Sequence, residues 1–273
     1  MSQSHQNADQ EAFWNGEAGT KWAHGQDRLD AMLAAFSSEL LRHADIRKGE
    51  HVLDVGCGCG GSSVEISKLS AVVTGVDISR PMLERARIRS RDITFLEADA
   101  SVLHFSPTFD VVVSRFGVMF FADPIAAFTN LRSALKPTGR LVFVCWRDWR
   151  ENEWVRIPIS AVRPHLPQQP SPNPDEPGPF AFADLARVRR ILTQAGFDQI
   201  SIMPFDAPMS LGSTLDDAIS HIQDFGPVSR MLSTATQSEK ASATNALHQA
   251  LAPFSEKTPL TLNGAVWIVT AKA

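Results

Sequence analysis

The residues best suited to chemistry lie in "HVLDVGCGCGGSSVEI", residues 51–66. A short apolar run is followed by glycines at 56, 58, 60 and 61. Gly56, Gly58 and Gly61 fit the dinucleotide spacing G-x-G-x-x-G, which implies hydride transfer. Gly56, Gly58 and Gly60, with Asp54 in front, fit the G-x-G-x-G loop of S-adenosylmethionine (SAM) enzymes, which implies methyl transfer. Both make one physical demand. Without Cβ atoms, backbone N–H groups and the start of the next helix can approach a charged or polar ligand closely. Asp77 ends "VTGVD", where a carboxylate can accept from both hydroxyls of an adenosine ribose. Adenosine is common to both cofactors. Asp99, in "FLEADA", suits either the adenine amino group or a simple turn or cap. The chain has no tyrosine, which removes the Tyr–Lys acid of short-chain dehydrogenases.

Further candidates are scattered. His24 follows Trp22 by two residues in the N-terminal segment. His221 lies one helical turn from both Asp217 and Asp224, an arrangement that could orient an imidazole or simply form a solvated helix face. Arg115 could bind an acidic substrate group or pair with a carboxylate. Phe116, Met119, Phe120 and Phe121 form an apolar cluster that could be core packing or an acceptor pocket. Cys57 and Cys59 make a poor zinc signal without a second Cys/His pair, so no metal is expected. With Cys145 they are an odd count, which excludes a disulfide framework.

The elements that must position these residues alternate. Strands are expected at 51–55, 72–76, 93–96, 109–114 and 140–146, short, rich in valine and isoleucine and nearly continuous in apolar character. Helices are expected between them at 61–69, 80–90 and 123–135, the second capped by Ser79 with Pro81 in its first turn. This is a doubly wound α/β core with a seven-stranded, mostly parallel sheet. Before it, Leu29, Met32, Leu33, Phe36 and Leu40 form one helical stripe, and residues 1–45 read as a helical lid. The core proper spans 46–147. A proline-rich cap insertion follows at 148–180, with seven prolines between Pro164 and Pro179. A core helix and strand occupy 181–209. A second cap, 210–260, holds helices at 213–225 and 229–252, and 261–273 is a final, reversed core strand.

Bulk properties narrow the partners. The formal charge of −4 gives no basic nucleic-acid footprint. No run approaches the ~18 apolar residues of a membrane span. The polar start "MSQSHQNADQ" lacks a signal-peptide core, so a cytoplasmic location is expected. A homodimer is compatible with the sequence.

Taken together, Asp54-x-Gly56-x-Gly58-x-Gly60, "GVDIS", "EADA", "FDVVVSRFGVMFFADP" and "LRSALKPTGRLVFVCWR" resemble the class I SAM-dependent methyltransferases. With "WNGEAGTKW" and "GAVWIVTA", the subgroup is similar to the bacterial ubiquinone/menaquinone-biosynthesis C-methyltransferases. The resemblance implies a Rossmann-like methyltransferase fold and methylation of a small, apolar or aromatic metabolite, leaving S-adenosylhomocysteine. It implies that Asp54, Gly56, Cys57 and Gly58 line the methionine part of SAM. Asp77 would hold the ribose, with Ile78 and Met82 against the adenine and Asp99 and Ala100 at its edge. Ser114, Arg115 and Phe116 would lie beside the sulfonium, and Trp14 and Trp22 would close over the cofactor. His24, Arg115 and His221 are the candidates for a catalytic role, though an activated methyl group needs a base only where the acceptor must lose a proton. Two alternatives stay open: an NAD(P)-dependent oxidoreductase using the same loop, and a non-catalytic SAM-binding protein.

Overall fold

The computed structural model describes residues 7–168, 173, 175–256 and 258–273. Seven strands form one sheet: β1 His51–Val55, β2 Val72–Asp77, β3 Thr94–Glu97, β4 Phe109–Arg115, β5 Leu135–Trp146, β6 Asp198–Gly212 and β7 Leu260–Lys272. Their spatial order is β3-β2-β1-β4-β5-β7-β6. The first five are parallel, and β7 runs antiparallel between β5 and β6. The valine runs explain the parallel part: β1 from Val52 onward and Val111 to Ser114 of β4 are buried, as strands covered on both faces must be. A ladder rich in β-branched residues holds β7 beside β5, pairing Val142 with Thr270 and Val144 with Ile268. The sheet reverses its winding between β1 and β4, which opens a crevice at their carboxyl ends.

Among the described residues four helices precede the sheet: α1 Ala8–Asn15, α2 Glu17–His24, α3 Gln26–Met32 and α4 Ala34–Ala44. The expected apolar stripe is buried, but it is shared between α3 and α4, which meet at Leu33. The bend lets α3 reach the glycine loop while α4 lies along the sheet. Phe36, Leu40 and Ala44 of α4 are fully buried in the core, so this helix covers β4 and β5.

The helices that follow are α5 Gly61–Ser67, α6 Arg80–Arg89, α7 Pro124–Ala134, α8 Glu153–Val162, α9 Leu185–Gln194, α10 Leu215–Asp224, α11 Gly226–Leu232 and α12 Gln237–Leu251. Residues 229–252 are two helices rather than one. Thr236 and Glu239 form a reciprocal capping box that starts α12 anew. Across the proline-rich stretch the described residues show one 3-10 turn, Arg163–His165, while 169–172 and 174 lie outside the described residues. Among the described residues no helix is long and apolar enough to cross a membrane, and no group of three or more metal-ligating side chains occurs.

Candidate functional site

The glycine loop leaves β1 and is fastened to β2. Gly56 and Cys57 donate their N–H groups to Val76 O at 2.9 and 3.2 Å, and Gly58 donates to Asp77 Oδ2 at 2.8 Å. The other oxygen of Asp77 accepts from Ser79 N at 2.8 Å. These three loop N–H groups are therefore committed to the protein. The bareness of the turn serves close approach instead. Gly56 sits at φ +67, and a Cβ there would lie 2.7 Å from Gly117 Cα. Gly58, at φ +55, leaves room for the end of Met82, which a Cβ would meet at 2.7 Å. Ser114, at the end of β4, locks the opposite wall. Its hydroxyl donates to Val55 O at 2.7 Å and accepts from Gly117 N at 3.2 Å.

Two carboxylates lie in this wall. Asp54 is fully buried, and its Oδ2 accepts from the hydroxyls of Ser62 and Ser63 at 2.7 and 2.6 Å. Its Oδ1 is buried without a partner among the described residues. Burial pushes Asp54 above the usual carboxylate range, against the hydroxyls and Arg115, which pull it down. Burial also pushes Asp77 up to about 6, opposed by the Ser79 and Gly58 N–H groups and reinforced by Asp54. Buried charge without a counter-charge is costly, so a cation is the complement this wall favours.

The N-terminal helices are stitched across the same strand ends. Ser79 Oγ donates to Trp14 O at 2.7 Å, in place of the expected side-chain cap on α6. Asn15 donates to Ile78 O and accepts from Arg80 N, both at 2.9 Å. Asn7 donates to Asp99 Oδ2 at 2.8 Å and to Ser101 Oγ at 3.1 Å, and accepts from Ala122 N at 2.9 Å. Asp99 also accepts from Ser101 N, and Ala100 is buried with its carbonyl accepting from Asn130. A cleft of about 480 Å³, lined by Glu11, Asn15, Arg80 and Glu97 among others, runs beside this seam.

Arg115, Phe116 and the histidines are placed very differently. Arg115, 13 % exposed, donates to Asp30 Oδ1 at 3.0 Å and to Ser37 Oγ at 2.9 Å, so it pairs with a carboxylate of α3. Phe116 takes a left-handed backbone, φ +64, rare for a bulky residue. Its ring is held stacked on Trp146, 4.2 Å away and 13° from parallel. His24 is exposed and bonds Thr20 O of its own helix. His221 is buried on α10, with neither Asp217 nor Asp224 bonded to its Nδ1. Asp217 turns instead to Arg28, 2.7 Å away. Cys57, Cys59 and Cys145 are free, buried thiols, and burial raises all three, Cys59 to about 12.

Several of these partners are not visible in motif spacing. Asn7, Asn15 and Asp30 reach the site only through tertiary contacts. Ser62 and Ser63 were within reach of sequence reasoning, since the first turn after a glycine loop faces the strand it leaves.

Comparison with known proteins bears on the fold and the family. Residues 53–143 match the family described as methyltransferase domain. An uncharacterized protein of Mycobacterium tuberculosis is 32% identical over 153 residues, covering 54% of this chain and 55% of that one. This chain therefore spans about half the length of such relatives. A demethylmenaquinone methyltransferase of Staphylococcus saprophyticus is 27% identical over 211 residues, covering 68% of this chain and 90% of its own. Among solved structures, a Haemonchus contortus phosphoethanolamine N-methyltransferase in complex with SAM superposes with a TM-score of 0.59 at 17% identity. The overlap covers 96% of this chain and 59% of that one, a likeness of fold. Residues 53–143 thus match a methyltransferase domain, within a chain that is similar to a demethylmenaquinone methyltransferase over 68% of its length.

Proposed function

We propose that the chain is a SAM-dependent methyltransferase acting on a small, apolar or aromatic metabolite. One observation carries this reading. The end of β2 presents the Asp77 carboxylate beside the glycine loop, with the buried Asp54 carboxylate behind it, while the Gly56, Cys57 and Gly58 N–H groups are already bonded. That set fits a ligand with hydroxyls and positive charge, as SAM has. A diphosphate would meet two carboxylates and find those three N–H groups taken, which disfavours the NAD(P) alternative. The strand order points the same way, since the dinucleotide-binding sheet runs 3-2-1-4-5-6 without an inserted reversed strand.

When bound, SAM supplies a methyl group on a positively charged sulfur. The residues of this chain hold and shield it. Asp77 would accept from the ribose, and Asp54 would face the amino-acid end. Ile78 and Met82 would flank the adenine, with Asp99 and Ala100 at its edge. Ser114 ties Gly117 to the end of β1, which fixes the turn that carries Phe116. Trp14 and Trp22, in edge contact at 5.9 Å, would close the near side and exclude water. The apolar Phe116 and Phe120 favour a hydrophobic acceptor. A location in the cytoplasm and a possible homodimer belong to the same reading. The test is a labelled-methyl SAM assay on a cell metabolite extract, with mass spectrometry of the products. Label should enter a small organic product. Binding of SAM without labelled product would favour the non-catalytic alternative.

A further inference from the structure

The helices α1 and α2 have little of their own to hold them. Each is eight residues long, shorter than the ~12–15 residues an isolated helix needs in water. No residue of α1 is buried, and of α2 only Gly19 is. Neither helix has a side-chain cap at its start. The next helix, α3, differs: it buries Leu29 and Met32, and Asp30 pins it to Arg89 and Arg115. Residues 8–24 are therefore ordered by what they touch, and they touch two separate parts of the chain.

The first is the loop assigned to the adenosine. Trp14 O accepts from Ser79 Oγ at 2.7 Å, and Asn15 bonds Ile78 O and Arg80 N. Gly19 packs so closely here that a Cβ would stand 2.7 Å from the same Ser79 Oγ. The second is α11 and the residue before it. Arg230 of α11 lies 5.4 Å over the Phe13 ring. Phe225 meets Trp22 edge-on at 6.4 Å and fills the space beside Gly25, where a Cβ would stand 2.5 Å from its Cζ.

The short helix α11 has seven residues, of which Val228 and Leu232 are buried. Its first residue, Gly226, packs beside Trp154, which a Cβ would meet at 3.4 Å. Trp154 tilts against Trp146 at 4.9 Å, and Trp146 stacks on Phe116. So α11 backs the aromatic wall that carries Phe116, while α1 and α2 join it to the cofactor loop.

We infer that α1 and α2 form a strap through which the cofactor steadies α11: adenosine binding orders the loop at Ile78 and Ser79, and the strap passes that order on through Phe13 and Trp22. The inference rests on the methyltransferase reading and adds to it a control of the acceptor side by the cofactor side. No change of fold is needed. A weakly held segment that depends on contacts at both ends is steadied at one end by binding at the other.

The experiment follows amide hydrogen exchange by mass spectrometry on the full chain, with and without saturating S-adenosylhomocysteine. In the wild type the ligand should slow exchange in residues 8–24 and, by about fivefold or more, in residues 225–232. In the double variant Phe225→Ala, Arg230→Ala it should still slow residues 8–24 but leave 225–232 within about twofold of the unliganded rate. Should the double variant not fold, Arg230→Ala alone, at an exposed position, should lose part of the effect. Bound S-adenosylhomocysteine that leaves 225–232 of the wild type unchanged overturns the strap, as does slowing that survives undiminished in the folded variant. Those outcomes leave the methyltransferase reading standing. Failure of S-adenosylhomocysteine to bind the wild type removes that reading, and this inference with it.

Discussion

The Gly58 N–H donates to Asp77 Oδ2 at 2.8 Å, so the glycine loop and the carboxylate of the neighbouring strand form one rigid unit. The bond spans 19 residues and joins the ends of β1 and β2 on one side of the crevice. It holds one Asp77 oxygen in place and leaves lone pairs on both for a ligand.

Removing that carboxylate should injure binding before it injures folding. Asp77→Ala is expected to weaken SAM by more than tenfold, about 1.4 kcal/mol, measured by titration calorimetry. Unchanged affinity would remove the ribose assignment.

The same group sets a pH window. Its pKa in the folded chain, about 6, lies above the reference value of 3.8. Between those values the folded chain binds more protons than the unfolded one, so Asp77's contribution to stability falls as pH rises from about 4 to about 6. A cationic ligand favours the ionised form and reverses the preference. SAM affinity is therefore expected to rise with pH through about 6, with proton release on binding. Calorimetry in two buffers of different ionisation enthalpy reads that release, and proton uptake would contradict it.

Gly56→Ala tests the close approach of the loops. The new Cβ would press on Gly117 Cα in a backbone at φ +67, and the expected cost is about 1–3 kcal/mol. Urea unfolding reads it directly. Gly49 has φ +82 with open space for 4 Å around where a Cβ would stand, so Gly49→Ala isolates the backbone part of the cost.

Asn7 clasps α1 to the loops after β3 and β4. Asn7→Ala should lower the melting temperature only modestly, since Trp14 and Asn15 keep their bonds to the loop after β2. It should raise amide exchange across residues 8–15 and speed SAM dissociation. Exchange unchanged from wild type would show that α1 is held by other contacts.

The parallel core was legible because its strands are apolar on both faces and its turns carry glycine or proline. Ser79, in contrast, reads as a helix cap by type, yet Trp14 O takes its hydroxyl, a tertiary acceptor that no local pattern announces. The break before Thr236 escapes apolar spacing, which continues through it, while the capping box that makes the break is a polar signal. Asp77 and Gly58 could be read from spacing, but Asn7 and Asp30 could not. Their partners lie 92 and 85 residues away, and nothing local encodes such a pairing. The left-handed Phe116 was also hidden, because its cost is offset by stacking on a tryptophan thirty residues on.

The most direct measurement is a crystal structure of the chain with S-adenosylhomocysteine. The expected result is a ribose on Asp77 and an adenine edge against Asp99, with the amino-acid end toward Asp54. An empty crevice, or a diphosphate bound there after soaking with NAD, would contradict the central claim.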